Sequence, residues 1–379
     1  MSKPILAAGF SLLALAAANA WADHPVAIAG PMTGQYASAG DQIKKGAEMA
    51  ITDINAKGGV LGQKLKLEIG DDACDPKQAV AVANTMVNKK IVFMHGHWCS
   101  SSTIPASDVY NEAQIPMVTV STNPKVTDRG LKNIFAIAGR DDQQGQVAGA
   151  YLAENFKGKK IAVVDDKSAY GKGLADEVAK AMEAKGAKPA LRESITAGEK
   201  DYSGLVSKLK SAGVEVMAFG GYHTEVALIL RQAQQAGLKL TIMGGDTMSN
   251  SELATAAGAQ ANNVLFTFGP DARKNPSAAA VVKKFHDAKI EPEGYVLYAY
   301  AAFQLFDQAA VKAKSTKYGD LEKALRSGTF DTVIGKISLR SRMRSTKRGI
   351  TPVATNSPTM RLPWRPLRWK RKISCSSGV

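Results

Sequence analysis

The sequence lacks the features that mark membrane-spanning, hydrolytic and dinucleotide-binding proteins. After residue 22 it has no apolar run that approaches the about 20 residues of a membrane-spanning helix. It contains no Gly-x-Ser-x-Gly elbow and no evident Ser/His/Asp or Cys/His arrangement, which argues against a hydrolase. Residues 171–176 read Gly-Lys-Gly-Leu-Ala-Asp and lack the third glycine of the dinucleotide fingerprint. These absences disfavour an enzyme and an integral membrane protein.

Acidic residues are absent from the C-terminal end, after Asp331. Eleven lysines and arginines lie between Leu339 and Val379, and without them the formal net charge of +15 falls to +4. The basic character therefore belongs to the tail, and the body of the protein carries no charge excess that would indicate a nucleic-acid partner.

The N-terminus has the form of a secretory signal peptide over Met1–Ala22. Lys3 supplies the positive charge, Ile5–Ala18 is the apolar run, and residues 20–22 (Ala-Trp-Ala) form a cleavage site. A membrane anchor is the alternative, but the run is too short to span comfortably. We expect an exported, soluble chain that begins at Asp23.

Cysteine is scarce, and the three that occur leave two interpretations open. Cys74 and Cys99 each follow a predicted strand, and export favours a disulfide between cysteines that come together. A metal site formed by His95, His97 and Cys99 is the alternative, because alternate residues of a strand share a face. No fourth ligand has a recognisable spacing. Cys375, the third cysteine, lies in the basic tail.

Short apolar runs alternate with helical patterns through most of the chain. The predicted strands are Val26–Gly30, Lys64–Gly70, Ile91–Met94, Met117–Val120, Ile134–Ala138, Lys160–Asp165, Pro189–Ser194, Val214–Gly220, Leu238–Gly244 and Asn263–Thr267. This alternation is typical of parallel sheets with helices on both faces. Because the pattern restarts after residue 138, we predict two similar α/β lobes. Ligands bind outside the carboxyl ends of parallel strands, so we expect one cleft between the lobes that opens and closes by a hinge.

Several polar residues follow these predicted strands. Ser100 stands at the start of a predicted helix, where unpaired N–H groups and hydroxyls can hold a carboxylate, although an ordinary helix cap gives the same pattern. Ser121 and Thr122 follow the next strand and offer similar groups. Asp246 follows a strand of the second lobe and could pair with an ammonium group, with a turn or capping role as the alternative.

Tyr170 and Tyr222 also lie at strand ends of the second lobe. Each has an apolar ring and a polar tip, so each can line a small ligand and donate one hydrogen bond. Surface tyrosines in turns are the alternative. His223, next to Tyr222, is interpreted as a turn or capping residue.

Five stretches carry a resemblance to a known family. They are Asp53–Gly59 (Asp-Ile-Asn-Ala-Lys-Gly-Gly), Asp71–Asn84, Cys99–Thr103 (Cys-Ser-Ser-Ser-Thr), Ile195–Asp201 and Gly220–His223. In this order they resemble the periplasmic branched-chain amino-acid (Leu/Ile/Val) binding proteins of ABC transporters, over about residues 23–338. The resemblance implies the type I periplasmic binding protein fold, with two Rossmann-like lobes of parallel sheet joined by three hinge crossovers.

The resemblance also implies a division of the chain and a set of site residues. Residues 23–139 would form the first part of lobe 1, 140–267 lobe 2, 268–338 the second part of lobe 1 with the third crossover, and 339–379 a disordered tail. The implied disulfide joins Cys74 and Cys99. The implied ligand-binding residues are Trp98, Ser100, Ser121, Thr122, Tyr170, Tyr222, Asp246 and Tyr295.

The implied roles divide the ligand into an acid end and an amine end. Ser100 and Thr122, with the Ser121 backbone, would bind the carboxylate and part of the ammonium. Asp246 would bind the ammonium, one methylene shorter than the family's glutamate. Trp98 replaces a Leu-like pocket wall. The family's first-lobe tyrosine aligns with Ala39, near Tyr36.

The implied function is that of a periplasmic solute-binding protein that delivers an amino acid, branched-chain or similarly aliphatic, to a membrane permease. It would act as a monomer, without catalysis, cofactor, metal or nucleic acid. A periplasmic amino-acid or amide sensor that serves a signalling partner is the alternative. A sensor usually carries a membrane span or an output domain, and the sequence has neither.

The family character ends after Ser338, and Leu339–Val379 is rich in arginine and broken by proline. We interpret the tail as the product of a reading-frame shift. The alternative is a nucleic-acid or membrane arm built on Trp364, Trp369 and the arginines, and export argues against nucleic acid.

The tail hypothesis has a consequence for stability. If the last strands of one lobe are lost, a sheet edge stays unpaired, and the protein should melt at a lower temperature than a version with a family-type ending restored. Thermal unfolding of the two chains measures this difference, and coincident melting curves would contradict the hypothesis.

Overall fold

A computed structural model describes residues 23–339 and 351–354. The predicted signal peptide, residues 1–22, and most of the predicted tail lie outside the described residues. The strands are β1 His24–Gly30, β2 Leu65–Asp71, β3 Phe93–His95, β4 Met117–Thr119, β5 Ile134–Ala136, β6 Ile161–Asp165, β7 Leu191–Ser194, β8 Val216–Gly220, β9 Thr241–Gly244, β10 Val264–Phe268, β11 Thr329–Thr332, β12 Gly335–Ser338 and β13 Thr351–Ala354.

Eleven α-helices lie in the described part of the chain. They are α1 Ala37–Ala56, α2 Pro76–Asn88, α3 Ser100–Glu112, α4 Asp141–Asn155, α5 Ala169–Ala184, α6 Ser203–Ser211, α7 His223–Gln235, α8 Ser251–Ala257, α9 Ala279–Asp287, α10 Val296–Ala313 and α11 Tyr318–Ser327. None of them is long and apolar enough to cross a membrane.

Two separate sheets define two lobes. The first has the order β2-β1-β3-β4-β5, and all of its strand pairs are parallel. The second has the order β13-β10-β9-β8-β6-β7 and is parallel except for β13. The inner strands are buried on both faces, as Val26–Ala29 and Ile161–Val164 illustrate, because helices cover both sides of a parallel sheet.

The chain passes between the lobes three times. It leaves the first lobe after β5 and returns after β10, where α10 packs against α1. It then forms the antiparallel hairpin β11–β12 and re-enters the second sheet as β13. The carboxyl ends of the strands in both sheets carry the loops that lead to the residues considered below.

Helix α4 was not predicted from the sequence. It has no clear apolar stripe, and it is held by close packing on α5 instead. Gly145 and Gly149 permit this approach, because a Cβ at either position would lie against the backbone of Val178. The sequence pattern therefore could not reveal this helix, since the contact that stabilises it is tertiary.

The predicted disordered tail, 339–379, differs from the structure at Thr351–Ala354. These residues form β13 and pair with Leu265–Phe268 of β10 in antiparallel register. The outer edge of β10, which the sequence analysis left unpaired, thus gains a partner. An open edge presents a row of N–H and C=O groups that a passing segment can satisfy, and Pro352 is compatible with an edge strand.

Cys74 and Cys99 form a disulfide, with their Cα atoms 5.5 Å apart, so this prediction is confirmed. The bond removes the sulfur of Cys99 from the alternative metal site. His97 instead contacts Asp72 at 2.5 Å through Nδ1, and His95 contacts the Val118 carbonyl at 2.8 Å. Within residues 23–339 no group of three or more His, Cys, Asp or Glu side chains could hold a metal ion.

The disulfide should stabilise the first lobe measurably. It links positions 25 residues apart and holds the residue that precedes α3. We expect the double variant Cys74→Ser, Cys99→Ser to lose about 2–4 kcal/mol of unfolding free energy, because the unfolded chain regains the freedom of that loop. Urea unfolding measures the loss, with Cys375→Ser as a control that keeps the bond. Equal stability of the double variant and the parent would contradict the prediction.

Candidate functional site

Asp246 is a buried, heavily hydrogen-bonded carboxylate at the carboxyl ends of the second sheet. It begins a 3₁₀ turn directly after β9 and is 5 % exposed. Its Oδ1 accepts hydrogen bonds from the Gln144 amide and the Tyr170 hydroxyl, both at 3.0 Å, and its Oδ2 accepts one from Tyr295 at 2.7 Å. All three donors are neutral. Burial raises the pKa of Asp246, and these hydrogen bonds oppose the rise.

A second buried carboxylate, Asp141, faces Asp246. It is the first residue of α4, and its Oδ2 has no hydrogen-bond partner among the described residues. Burial raises the pKa of Asp141 well above its usual value, and the charge of Asp246 adds to the rise, while the Thr122 hydroxyl and Arg140 oppose it. Two buried acids without a matched cation form a site that favours a positively charged group.

Aromatic rings from both lobes meet beside these acids. Trp98 follows β3 of the first lobe and lies 5.3 Å from the ring of Tyr222 and 5.8 Å from that of Tyr295. Tyr222 also contacts the rings of Tyr36, at 4.4 Å, and Tyr170, at 5.3 Å. All five rings are buried. They form an apolar wall against which a small side chain can pack.

The first lobe presents the N-terminus of α3 to this cluster. The helix begins at Ser100, and the residue before it makes no side-chain cap. The Ser100 hydroxyl accepts a hydrogen bond from the Asn123 N–H at 3.3 Å. The first turn of a 13-residue helix has backbone N–H groups and a positive dipole end, which together favour an anion.

Ser121 and Thr122 occupy the neighbouring loop after β4. The Ser121 hydroxyl contacts the Trp98 carbonyl at 2.9 Å, and its N–H donates to the Thr119 hydroxyl at 3.0 Å. The Ser121 amide that was predicted to bind the ligand therefore already has a partner within its own lobe. The Thr122 carbonyl accepts the Asp141 N–H at 2.9 Å, which connects this loop to the acid pair.

Hydrogen bonds between the lobes close the cleft over these residues. The Asn123 amide donates to the Ala169 carbonyl at 2.6 Å, and the Ala169 N–H donates to the Ser101 hydroxyl at 3.1 Å. On the other side of the aromatic cluster, the Tyr36 hydroxyl donates to Glu225 at 3.1 Å. The structure is thus a closed state in which both lobes contribute to one site.

The eight residues predicted to bind ligand fall into two adjoining groups. Trp98, Tyr170, Tyr222, Asp246 and Tyr295 form a connected set of contacts. Ser121 contacts the Trp98 carbonyl, Thr122 accepts the Asp141 N–H, and Ser100 accepts the Asn123 N–H. These contacts make the two groups neighbours, and their roles toward a ligand stay predictions.

Three residues of the cleft were missed by the sequence analysis, namely Tyr36, Asp141 and Gln144. The first-lobe tyrosine was aligned with Ala39, which is buried within α1, whereas Tyr36 reaches Tyr222. Asp141 and Gln144 lie on the unpredicted helix α4. Their position in the chain could have indicated them, because Asp141 follows the end of a strand by a few residues, as Ser100 does.

Comparison with known proteins places the chain among solute-binding proteins. Residues 24–355 match a family model described as periplasmic binding protein, so the match extends past Ser338, where the sequence motifs had placed the end of the family resemblance. The chain is 49 % identical over 336 residues to the Leu/Ile/Val-binding protein homolog 1 of Brucella melitensis biotype 1, covering 87 % of this chain and 91 % of the relative. It is 45 % identical to a leucine-, isoleucine-, valine-, threonine-, and alanine-binding protein of Pseudomonas aeruginosa, covering 87 % and 88 %.

A solved structure gives the same architecture. The branched-chain amino acid transporter substrate binding protein LivJ of Streptococcus pneumoniae, in complex with isoleucine, superposes with a TM-score of 0.75 at 25 % identity. The match covers 83 % of this chain and 91 % of that one. None of these three names describes a sensor, so the sensing alternative has no support from them.

We predict that ionised Asp141 lowers the stability of the ligand-free protein. The pKa of Asp141 is raised in the folded state, so the free energy of unfolding falls as the pH rises above the ordinary carboxyl value of 3.8. Asp141→Asn should therefore melt at a higher temperature than the parent at pH 7, and the gain should shrink toward pH 4. Thermal unfolding across this range measures it.

A neighbouring variant serves as the control for this measurement. Asp142 is partly exposed and paired with Arg140 at 3.0 Å, and its charge contributes less than burial and Asp246 to the raised pKa of Asp141, so Asp142→Asn removes a neighbouring charge while the two buried acids remain. We expect a change within about 1 kcal/mol. An Asp141→Asn variant that is less stable than the parent at pH 7 would contradict the predicted cost of ionising Asp141.

Proposed function

Because the chain belongs to the periplasmic binding protein family, as its sequence motifs predicted, we propose that it is the solute-binding component of an ABC amino-acid import system. It binds a small amino acid, branched-chain or similarly aliphatic, in the cleft between its lobes. The observation that carries this proposal is the pair of buried carboxylates, Asp141 and Asp246, linked through Thr122 and Asn123 to Ser100 at the N-terminus of α3.

The ammonium group of the ligand is placed at the acid pair. The unpartnered Oδ2 of Asp141 and the carboxylate of Asp246 offer negatively charged acceptors. Gln144, which contacts both acids, is neutral, and its amide lies 3.0 Å from Asp246 and 3.4 Å from Asp141. An ammonium supplies the positive charge that both acids lack. Since the site is buried, this pairing is stronger than it would be in water, provided that the remaining donors and acceptors are satisfied.

The carboxylate group of the ligand is placed at the start of α3. The Ser100 hydroxyl, the first-turn N–H groups and the Thr122 hydroxyl are the candidates for its hydrogen bonds. A buried carboxylate needs such donors, because an unpaired one would cost several kcal/mol. The acids of the second lobe and the N-terminus of α3 in the first lobe then orient a zwitterion between them, and its two charged ends draw the lobes together.

The side chain of the ligand is placed against the aromatic wall. The rings of Trp98, Tyr36 and Tyr222 lie there and contact one another. Such a surface favours an apolar side chain through buried area, at about 25 cal/mol per Å². The names of the relatives, which include leucine, isoleucine, valine, threonine and alanine, fit a side chain of this kind.

The remaining parts of the proposal follow from the family. We infer that the chain is exported to the periplasm after removal of residues 1–22, that it acts as a monomer, and that it delivers its ligand to a membrane permease. The aromatic and acidic site contains no evident nucleophile–base pair, and we expect it to bind without chemical conversion.

Calorimetric titration of the protein with each of the twenty amino acids tests this function. We expect one or a few aliphatic amino acids to bind. Asp246→Asn should weaken the best of them by about 10- to 100-fold, because a charged hydrogen bond to the ammonium is lost. The matched control is Asp176→Asn, which removes an exposed acid that pairs with Lys172 and Arg192 in the same lobe.

The control should bind as tightly as the parent. Absence of heat with all twenty amino acids on folded protein would defeat the proposal, as would equal weakening by the two substitutions.

A further inference from the structure

Gln144 forms hydrogen bonds with both the side chain and the main chain of Asp246. It lies in the first turn of α4 and is 2 % exposed. Its Nε2 donates to the Asp246 carboxylate at 3.0 Å, and its Oε1 accepts the Asp246 N–H at 3.1 Å. One amide therefore holds both the main chain and the side chain of the acid.

The orientation of this amide is fixed by a further residue. The Thr267 hydroxyl, at the end of β10, donates to the same Oε1 at 2.7 Å. Two donors thus point at Oε1, and the NH₂ group must face the carboxylate. A reversed amide would set its oxygen against Asp246 and its NH₂ against two donors.

The other groups around Asp246 come from several elements. Tyr170 on α5 and Tyr295 before α10 donate hydroxyls to it, and Asp141 on α4 faces it with a second negative charge. Tyr295 is bound to the first lobe, because its N–H donates to Gln42 of α1 at 3.0 Å. When the lobes separate, Tyr295 leaves with the first lobe, whereas Gln144 stays beside Asp246.

We propose that Gln144 is the positioning residue of the ammonium site, whose amide keeps the Asp246 carboxylate aimed into the cleft in the open and the closed protein alike. The identity of the ligand group rests on the proposed function, but the contact with Asp246 does not. Gln144 also lines a cavity with residues of both segments that connect the lobes, Ala138, Gly139, Phe268 and Gly269. Gln144 thus lies between Asp246 and the two segments that connect the lobes.

The test uses Gln144→Met, which keeps the length of the side chain and removes its hydrogen bonds. The matched control is Gln232→Met in the same lobe. Gln232 likewise uses both ends of its amide, accepting the Tyr202 N–H at 2.7 Å and donating to the Lys200 carbonyl at 3.1 Å, and neither contact involves Asp246.

The first readout is the carboxyl titration of Asp246 in ligand-free protein, followed by NMR with labelled aspartate side-chain carbons and assigned with Asp246→Asn. Loss of the Gln144 donor should raise the pKa of Asp246, because a hydrogen bond to the ionised form is removed. Gln232→Met should leave it unchanged. An unaltered titration in Gln144→Met would overturn the inference, whether or not the protein binds an amino acid.

The second readout is the affinity for the best-binding amino acid as a function of pH. Gln144→Met should bind about 10- to 100-fold more weakly at the acid end of the pH range in which the protein is folded, and this deficit should shrink as the pH rises, because the carboxyl that has lost its donor is more fully ionised at higher pH. A deficit that does not change with pH would indicate a merely structural role and would overturn the inference.

A second variant keeps the test decisive if Gln144→Met does not fold. Thr267→Val frees the amide to turn and should shift the Asp246 titration in the same direction by a smaller amount, and no shift would count against the inference. If the parent shows the expected titration but binds none of the twenty amino acids, the proposed function fails while the role of Gln144 stands.

Discussion

The structure depends on two buried carboxylates that lack a cation. Asp141 and Asp246 lie at the carboxyl ends of the second lobe, and each raises the electrostatic cost of ionising the other. Neutral donors, namely Gln144, Tyr170 and Tyr295, reduce this cost for Asp246 without cancelling its charge. Under the proposed function, the ammonium group of the ligand supplies the positive charge that this pair of acids lacks.

The rest of the architecture brings a complementary group opposite the acids. Parallel sheets place every loop of interest at one edge, and two such sheets face each other across one cleft. In the proposed function the N-terminus of α3 is the anion-binding end, and the aromatic rings are the apolar surface between the two ends. Hydrogen bonds such as that from Asn123 to Ala169 join the two lobes, so the elements proposed to contact the ligand are also the ones that hold the lobes together.

Much of this was accessible from the sequence. The alternating strands and helices predicted both sheets, and Asp246, Ser100 and Trp98 were singled out because they follow strands or carry family motifs. Helix α4 was not predicted, because Gly145 and Gly149 replace an apolar stripe with close packing on α5. Asp141 and Gln144 were missed with it. Tyr36 was missed because its contact with Tyr222 joins residues that are distant in the chain. Such contacts leave no local signal.

The central claim is that the cleft binds a zwitterion by both of its charged ends. The most direct measurement compares the affinity of the best-binding amino acid with those of its amide, which lacks the carboxylate, and its deamino acid, which lacks the ammonium. The account predicts that each analogue binds at least about 100-fold more weakly than the parent ligand, because each leaves one buried subsite unpaired. An analogue that binds as tightly as the amino acid would contradict it.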